Sequence, residues 1–338
     1  MTEIYVGLDI HTNGFYGTIM DKQGEIIAEG KINYTKEAVQ NFFAGISSSK
    51  IRVAIEACGI WRGVYRLLTE LGYEVVLASP LKTHQIAARK KTDKVDSKIL
   101  ADLLRTGYLP EVYIPSEDVM KLRDIARHRA RLVRIRSMLQ CKIKAYLNRD
   151  GMKFTGGWSK ESLAYLKKLD SRIANFVIII ETINEQIKEV TREVNNIARN
   201  RYLTKLLQTV PGIGNFSSLM ILGEIGDVKR FDHPKSMVSY AGLCPGIYQS
   251  GDKSHDVVNR ACNKWLKWII SECSGRAALL DNRYMKHYYR VKQRKGFKVA
   301  RRSVARKMLT DIWYILTNEE PFRESQSFNK KDRNTPFV

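Results

Sequence analysis

Residues 4–34 read IYVGLDIHTNGFYGTIMDKQGEIIAEGKINY. Apolar alternation over Ile4–Ile10 and again over Phe15–Met20 predicts two strands, and Ile26–Tyr34 predicts a third after the polar turn Asp21-Lys22-Gln23-Gly24. The expectation is a three-stranded antiparallel meander. Beyond it the period changes: a helix over Lys36–Phe43, a β-branched strand over Ile51–Ile55, a helix over Trp61–Leu71, a strand over Glu74–Ala78 and helical segments after Pro80.

The order βββαβαβα, a meander followed by αβ units, predicts an RNase H-like α/β domain over residues 1–112. From Ser116 to about Asn200 strand signals vanish. Two heptad-like stretches, Val119–Leu147 and Glu161–Ile197, flank the glycine-rich Gly151–Gly157 and predict a basic helical hairpin or coiled coil over 113–200. Amphipathic segments from Leu203 to Leu316 predict a mainly α C-terminal domain over 201–320, followed by a polar tail over 321–338.

Charge narrows the function. The 338 residues carry 57 Lys and Arg against 35 Asp and Glu, a net +22, which points to a polyanionic partner. With no long apolar run and no charged-then-apolar leader, a membrane is not expected, and a cytoplasmic location is. The five cysteines, Cys58, Cys141, Cys244, Cys262 and Cys273, include no C-x-x-C pair, so neither a disulfide framework nor a zinc ribbon is indicated.

Carboxylates supply the candidate chemistry. Asp9 ends the apolar strand VGLDI and Glu56 ends RVAIE, so two strands each deliver a carboxylate to the centre of the expected sheet. A charge there is costly unless a cation neutralises it. Asp93 and Asp96, three apart at the start of a helix running to Leu104, share one helical face. Four hard oxygen donors suit Mg²⁺ or Mn²⁺, and paired ions of this kind serve phosphodiester chemistry. Salt bridges and a helix N-terminus would account for each carboxylate alone; Asp102, farther along the helix, is the reserve candidate.

Gly7-Leu8-Asp9, Ile55-Glu56-Ala57 and Lys91-Thr92-Asp93-Lys94-Val95-Asp96 together resemble the DEDD transposases of prokaryotic insertion sequences, relatives of the Piv DNA invertase with a RuvC-like N-terminal domain. The resemblance continues through Val210-Pro211-Gly212-Ile213-Gly214, Arg230-Phe231, Tyr240-Ala241-Gly242-Leu243-Cys244-Pro245 and Gln249-Ser250-Gly251. It implies a divalent-metal site at Asp9, Glu56, Asp93 and Asp96, and Ser250 as the nucleophile that forms a covalent phosphoserine link to DNA, set against the carboxylate site, within one subunit or between two. The chain departs from the family where a glycine and a Gly-Asn usually follow the serine motif. Here Ser254-His255-Asp256-Val257-Val258-Asn259-Arg260 stands, which makes Ser254 the alternative nucleophile. Composition alone would read Ser250 as a turn residue. His11 and His255, beside these candidates, are given no role.

Two nearly acid-free basic stretches, Lys121–Arg149 and Arg283–Lys307, are expected to contact nucleic acid, foremost through Arg127, Arg131, Arg134, Arg294, Lys298, Arg301 and Arg302. Gly212 and Gly214 resemble a helix-hairpin-helix turn, whose backbone N–H groups can approach a phosphate; a tight connection without a ligand is the equal alternative. Trp265 and Trp268, at helical spacing, read as core residues rather than base-stacking platforms. The family resemblance also implies double-stranded donor and target DNA as partners, a structured guide RNA (the bridge RNA) that pairs with both, and a homo-oligomer, dimer or tetramer. The leading expectation is therefore an insertion-sequence recombinase. A RuvC-like endonuclease using water, and a non-catalytic nucleic-acid-binding protein, are the alternatives.

Overall fold

The computed structural model describes residues 3–46, 50–86, 92–244, 246–250, 253–257 and 262–323. They form two compact units, residues 1–114 and 115–338.

In the first unit β1 (Glu3–His11), β2 (Gly14–Met20) and β3 (Ile26–Asn33) form the antiparallel meander. There follow α1 (Lys36–Phe43), β4 (Lys50–Glu56), α2 (Trp61–Glu70), β5 (Glu74–Ala78), α3 (Pro80–Ile86) and α4 (Asp93–Arg105). The sheet order is β3-β2-β1-β4-β5, with β4 parallel to both β1 and β5. A mixed sheet in this order is compatible with a RuvC-like domain.

Alternation decides what each face of β1 meets. Ile4, Val6, Leu8 and Ile10 pack with Val39 and Phe43 of α1 and with Val64 and Leu68 of α2. On the opposite face Tyr5, together with Ala54 of β4 and Val76 and Ala78 of β5, packs against Leu100 and Leu104 of α4. Strands β1, β4 and β5 are therefore covered on both sides, as parallel strands require.

The second unit comprises α5 (Glu117–Arg149), α6 (Lys160–Lys167), α7 (Ser171–Asn200), α8 (Tyr202–Gln208), α9 (Asn215–Ile225), α10 (Pro234–Tyr240), β6 (Gly246–Ser250), β7 (Lys253–Val257), α11 (Lys264–Leu280) and α12 (Asn282–Asn318). Helices α5 and α7 run antiparallel: Leu147 meets Ile173 at one end and Leu122 meets Val194 at the other. The stretch read as continuous over Glu161–Ile197 is two helices. Asp170 caps α7 by accepting the Arg172 N–H at 2.7 Å and so breaks the preceding helix. The C-terminal region, expected to be mainly helical, also contains the antiparallel strand pair β6–β7.

A buried carboxylate organises this unit. Glu224 of α9 has no exposed surface, yet Arg127 of α5 donates to both its oxygens, Nε at 2.7 Å and Nη2 at 2.8 Å. Asn263, the N-cap of α11, adds its amide at 2.8 Å and also donates to the Tyr240 hydroxyl at 3.0 Å. The Asn263 N–H bonds the Tyr240 carbonyl at 2.8 Å, so the two ends of the segment carrying β6 and β7 are fastened together beside Glu224.

Removing one partner of such a pair leaves an uncompensated buried charge or cation and costs about 3–5 kcal/mol. Glu224→Ala should lower the stability of the second unit by that order in urea unfolding. Fluorescence reports on it well, since Trp158, Trp265, Trp268 and Trp313 lie there and only Trp61 in the first unit. A loss below about 1 kcal/mol would mean that the network is not what holds α5, α9 and α11 together.

Candidate metal centre

The parallel register of β1 and β4 pairs Leu8 with Ile55. Asp9 and Glu56 each stand one residue farther, at the carboxyl ends of neighbouring strands. Ligand sites of open α/β sheets lie at this edge. Both share the parity of Tyr5 and Ala54, so they project on the face that α4 covers. The first turn of α4 brings Asp93 and Asp96, and that helix begins where it does because the Thr92 hydroxyl accepts the Val95 N–H at 3.3 Å.

What lets α4 come so near is Gly7. A Cβ on that residue would lie 2.0 Å from the Ser97 carbonyl oxygen and 2.5 Å from the Ala101 nitrogen, distances no side chain tolerates. The buried hydroxyls of Thr18 in β2 and Ser97 in α4 are 2.8 Å apart and secure the same contact.

Asp9, His11 and Asp93 present ligand atoms that all lie within 4.8 Å of one another. His11 Nε2 is 3.2 Å from Asp9 Oδ2 and 3.4 Å from Asp93 Oδ1. Burial pushes the Asp9 carboxyl above its ordinary range; His11 opposes this, and the charges of Asp96 and Asp93 add to it. A pocket of carboxylates that raises a member's pKa in this way is one in which a cation would be favoured. Two carboxylates and an imidazole form a donor set that suits a divalent metal ion. Glu56 and Asp96 line an adjoining cleft of ≈ 490 Å³ together with Thr83, His84 and Ile99. The Thr83 hydroxyl, buried in the wall, has no hydrogen-bond partner among the described residues. Asp102 stands apart, paired with Arg105 at 2.6 Å.

Ser250 is the last residue of β6, opposite Lys253, and Ser254 pairs with Gln249. The side chains of both serines and of His255, and all of Lys91, Asp252, Asn259, Arg260 and residues 324–338, lie outside the described residues. Among the cations, Arg131, Arg134, Arg294, Lys298, Arg301 and Arg302 are exposed, whereas Arg127 is turned inward on Glu224. Gly212 meets α11: a Cβ there would be 2.7 Å from the Cys273 carbonyl. The Gly214 N–H is already bound to Ser217 Oγ at 2.8 Å. Trp265 packs on the core with Trp268 at its edge, ring centroids 5.9 Å apart.

Residues 6–150 match the DEDD transposase family model of the IS110 group, and residues 204–290 match the transposase model of the IS116/IS110/IS902 family. The chain belongs to this transposase family. Relatives of this transposase include the transposase for insertion sequence element IS1111A of Coxiella burnetii, 24% identical over 94% of the chain and 91% of the relative. The transposase for insertion sequence element IS1328 of Yersinia enterocolitica is 23% identical over 80% and 82%. A pilin gene-inverting protein of Moraxella lacunata is 27% identical over 75% and 76%. The DEDD family implies use of a divalent metal, which the acidic cluster fits. Among the described residues no helix of the transposase is long and apolar enough to cross a membrane.

Sequence reasoning set His11 aside and passed over Thr83, His84 and Glu224. The proximity of His11 to Asp9, two residues apart on one strand and so on one face, was a usable signal. Nothing in the sequence distinguishes Glu224 within SLMILGEIGD from an exposed helical glutamate.

With its pKa raised, the ionised Asp9 is disfavoured by folding, and that cost is present once pH rises above the unfolded carboxyl's range. Asp9→Asn should therefore raise the metal-free melting temperature near neutral pH. The same variant should lose the further rise that Mg²⁺ or Mn²⁺ gives the parent protein by binding the folded state. A metal-induced rise that survives the substitution would remove Asp9 from the ligand set.

Proposed function

We propose that this transposase is a metal-dependent DNA recombinase that cuts and rejoins strands through a covalent serine intermediate and is directed to donor and target DNA by a structured guide RNA. The observation that carries the metal-dependent part is the meeting of Asp9, Asp93 and His11 at one strand edge, beside a cleft lined by Glu56 and Asp96. The family relationship supports the serine and the guide.

In this reading Asp9, Glu56, Asp93 and Asp96 hold Mg²⁺ or Mn²⁺, with His11 beside Asp9 and Asp93. When bound there, such an ion supplies positive charge for phosphoryl oxygens and favours ionised over neutral hydroxyls. Ser250 supplies the nucleophile: its Oγ–P bond forms as a strand P–O bond breaks, the serine gives up its proton, and the departing sugar oxygen takes one up. Attack by a second strand's hydroxyl on the phosphoserine reverses these changes and rejoins DNA. A serine hydroxyl is a weak nucleophile near neutral pH, which is why this reading couples it to a metal site. Basic surfaces without a base-reading module, including Arg131, Arg134, Arg294 and Lys298, suit a partner recognised by its backbone while pairing reads sequence. Gly212 and Gly214 are proposed to aid the same contacts as a helix-hairpin-helix-like turn, and the α5–α7 hairpin to join subunits of a dimer or tetramer.

The test is to incubate protein, Mg²⁺, guide RNA and labelled donor and target DNA, then resolve the products on a denaturing gel. A guide-dependent protein–DNA adduct is expected, lost in Ser250→Ala and in Asp9→Ala, with DNA binding retained in both. Cleavage without an adduct that persists in Ser250→Ala would show water to be the nucleophile. An adduct retained in Ser250→Ala but lost in Ser254→Ala would move the role four residues along.

A further inference from the structure

Helix α12 is not continuous. At Gly296 the backbone leaves helical space, with φ 77° and ψ 173°, a conformation that side chains other than glycine's rarely adopt. The break separates an arm over 282–295 from one over 297–318, and between these arms and α11 lies a cavity of ≈ 200 Å³. Its walls are Ser274, Gly275 and Ala278 of α11 and Tyr288, Phe297, Arg301 and Val304 of α12. Phe297, the residue after the break, is 46% exposed at the lip, and the Arg301 guanidinium stands 5.6 Å from its ring centroid.

The charge around this cavity is one-sided. From Asn282 to Thr310 the sequence has no aspartate or glutamate but eleven Lys and Arg. Arg294, Lys295, Lys298 and Arg302 are exposed within a few residues of Phe297. A purely apolar protein partner would have no use for that field, and an acidic peptide would have none for an aromatic slot. A nucleic-acid strand uses both: its phosphates pair with the flanking cations while one base enters the slot, stacks on the Phe297 ring and meets the Arg301 plane. A base within a duplex is already stacked and cannot do this.

Building on the nucleic-acid reading above, we infer that the kink of α12 is a receptor for one unpaired nucleobase, stacked on Phe297 beside Arg301 while the strand's backbone follows the basic arms. The base can come from DNA opened during strand exchange or from an unpaired position in RNA; the chemistry recognised is the same.

The experiment measures the affinity of the full-length protein for short single-stranded oligonucleotides, in DNA and RNA, each made with bases and as an abasic chain of equal length and charge. Base-bearing strands should bind about tenfold tighter than abasic ones. Phe297→Ala should remove that preference and leave abasic binding unchanged, while Phe297→Trp should keep it. A preference confined to the DNA or the RNA arm identifies the source of the base and supports the receptor either way. Equal affinity for base-bearing and abasic strands in the parent protein, or a preference that persists in Phe297→Ala, would overturn the receptor while leaving nucleic-acid binding intact. Failure to bind any of the four strands would overturn the nucleic-acid reading as well. Because Phe297 is half-exposed, both variants should keep the parent's melting temperature, which makes the affinities comparable.

Discussion

The candidate centre depends on one close approach, that of α4 to the backbone of β1 at Gly7. Two of its carboxylates are positioned by the sheet itself, because neighbouring strands lie about 4.8 Å apart and the register of β1 and β4 leaves Asp9 and Glu56 level. The other two arrive on a helix, whose height over the sheet could vary with every side chain beneath it. A missing side chain at Gly7 removes that freedom. The Ser97 carbonyl occupies the space a Cβ would need, and the Thr18 hydroxyl meets Ser97 from β2. Packing thus sets the distance between charges that repel one another, and their repulsion adds to the burial that raises the pKa of Asp9.

Glu224 presents the opposite solution for a carboxylate removed from water. Its oxygens receive the Arg127 guanidinium and the Asn263 amide, so it has no need of a metal ion, and it serves as a junction for α5, α9 and α11. Asp9, by contrast, has a histidine and two further carboxylates about it. The number and kind of donors, rather than depth of burial, separates a structural carboxylate from a candidate metal ligand in this chain.

The first unit was legible because its signals are local and periodic. Alternation in residues 4–20 marks the strands, and the Gly7-Leu8-Asp9 motif carries both the candidate ligand and the glycine that admits α4. Asp93 and Asp96 could be placed because their three-residue spacing puts them on one face of a helix. The second unit was less legible. Capping by Asp170 divides a stretch whose apolar period continues across the break, and β6 and β7 carry too little alternating apolar character to announce a strand pair. The inward turn of Arg127 could not be read at all: it depends on Glu224, ninety-seven residues away. The close seat of Gly212 against α11 is likewise tertiary in origin.

That inward turn alters how the chain's basicity should be counted. Arg127 is bound to Glu224, Arg123 donates to the Gly223 carbonyl, Arg129 to Thr191 and Arg136 to Asn184, so four guanidinium groups on one helix are engaged in the protein's own architecture. Binding to a polyanion releases counterions in proportion to the phosphates actually neutralised. The formal +22 therefore overstates the chain's ionic grip, and cations partly buried in this way act as mortar between helices that salt outside screens only weakly.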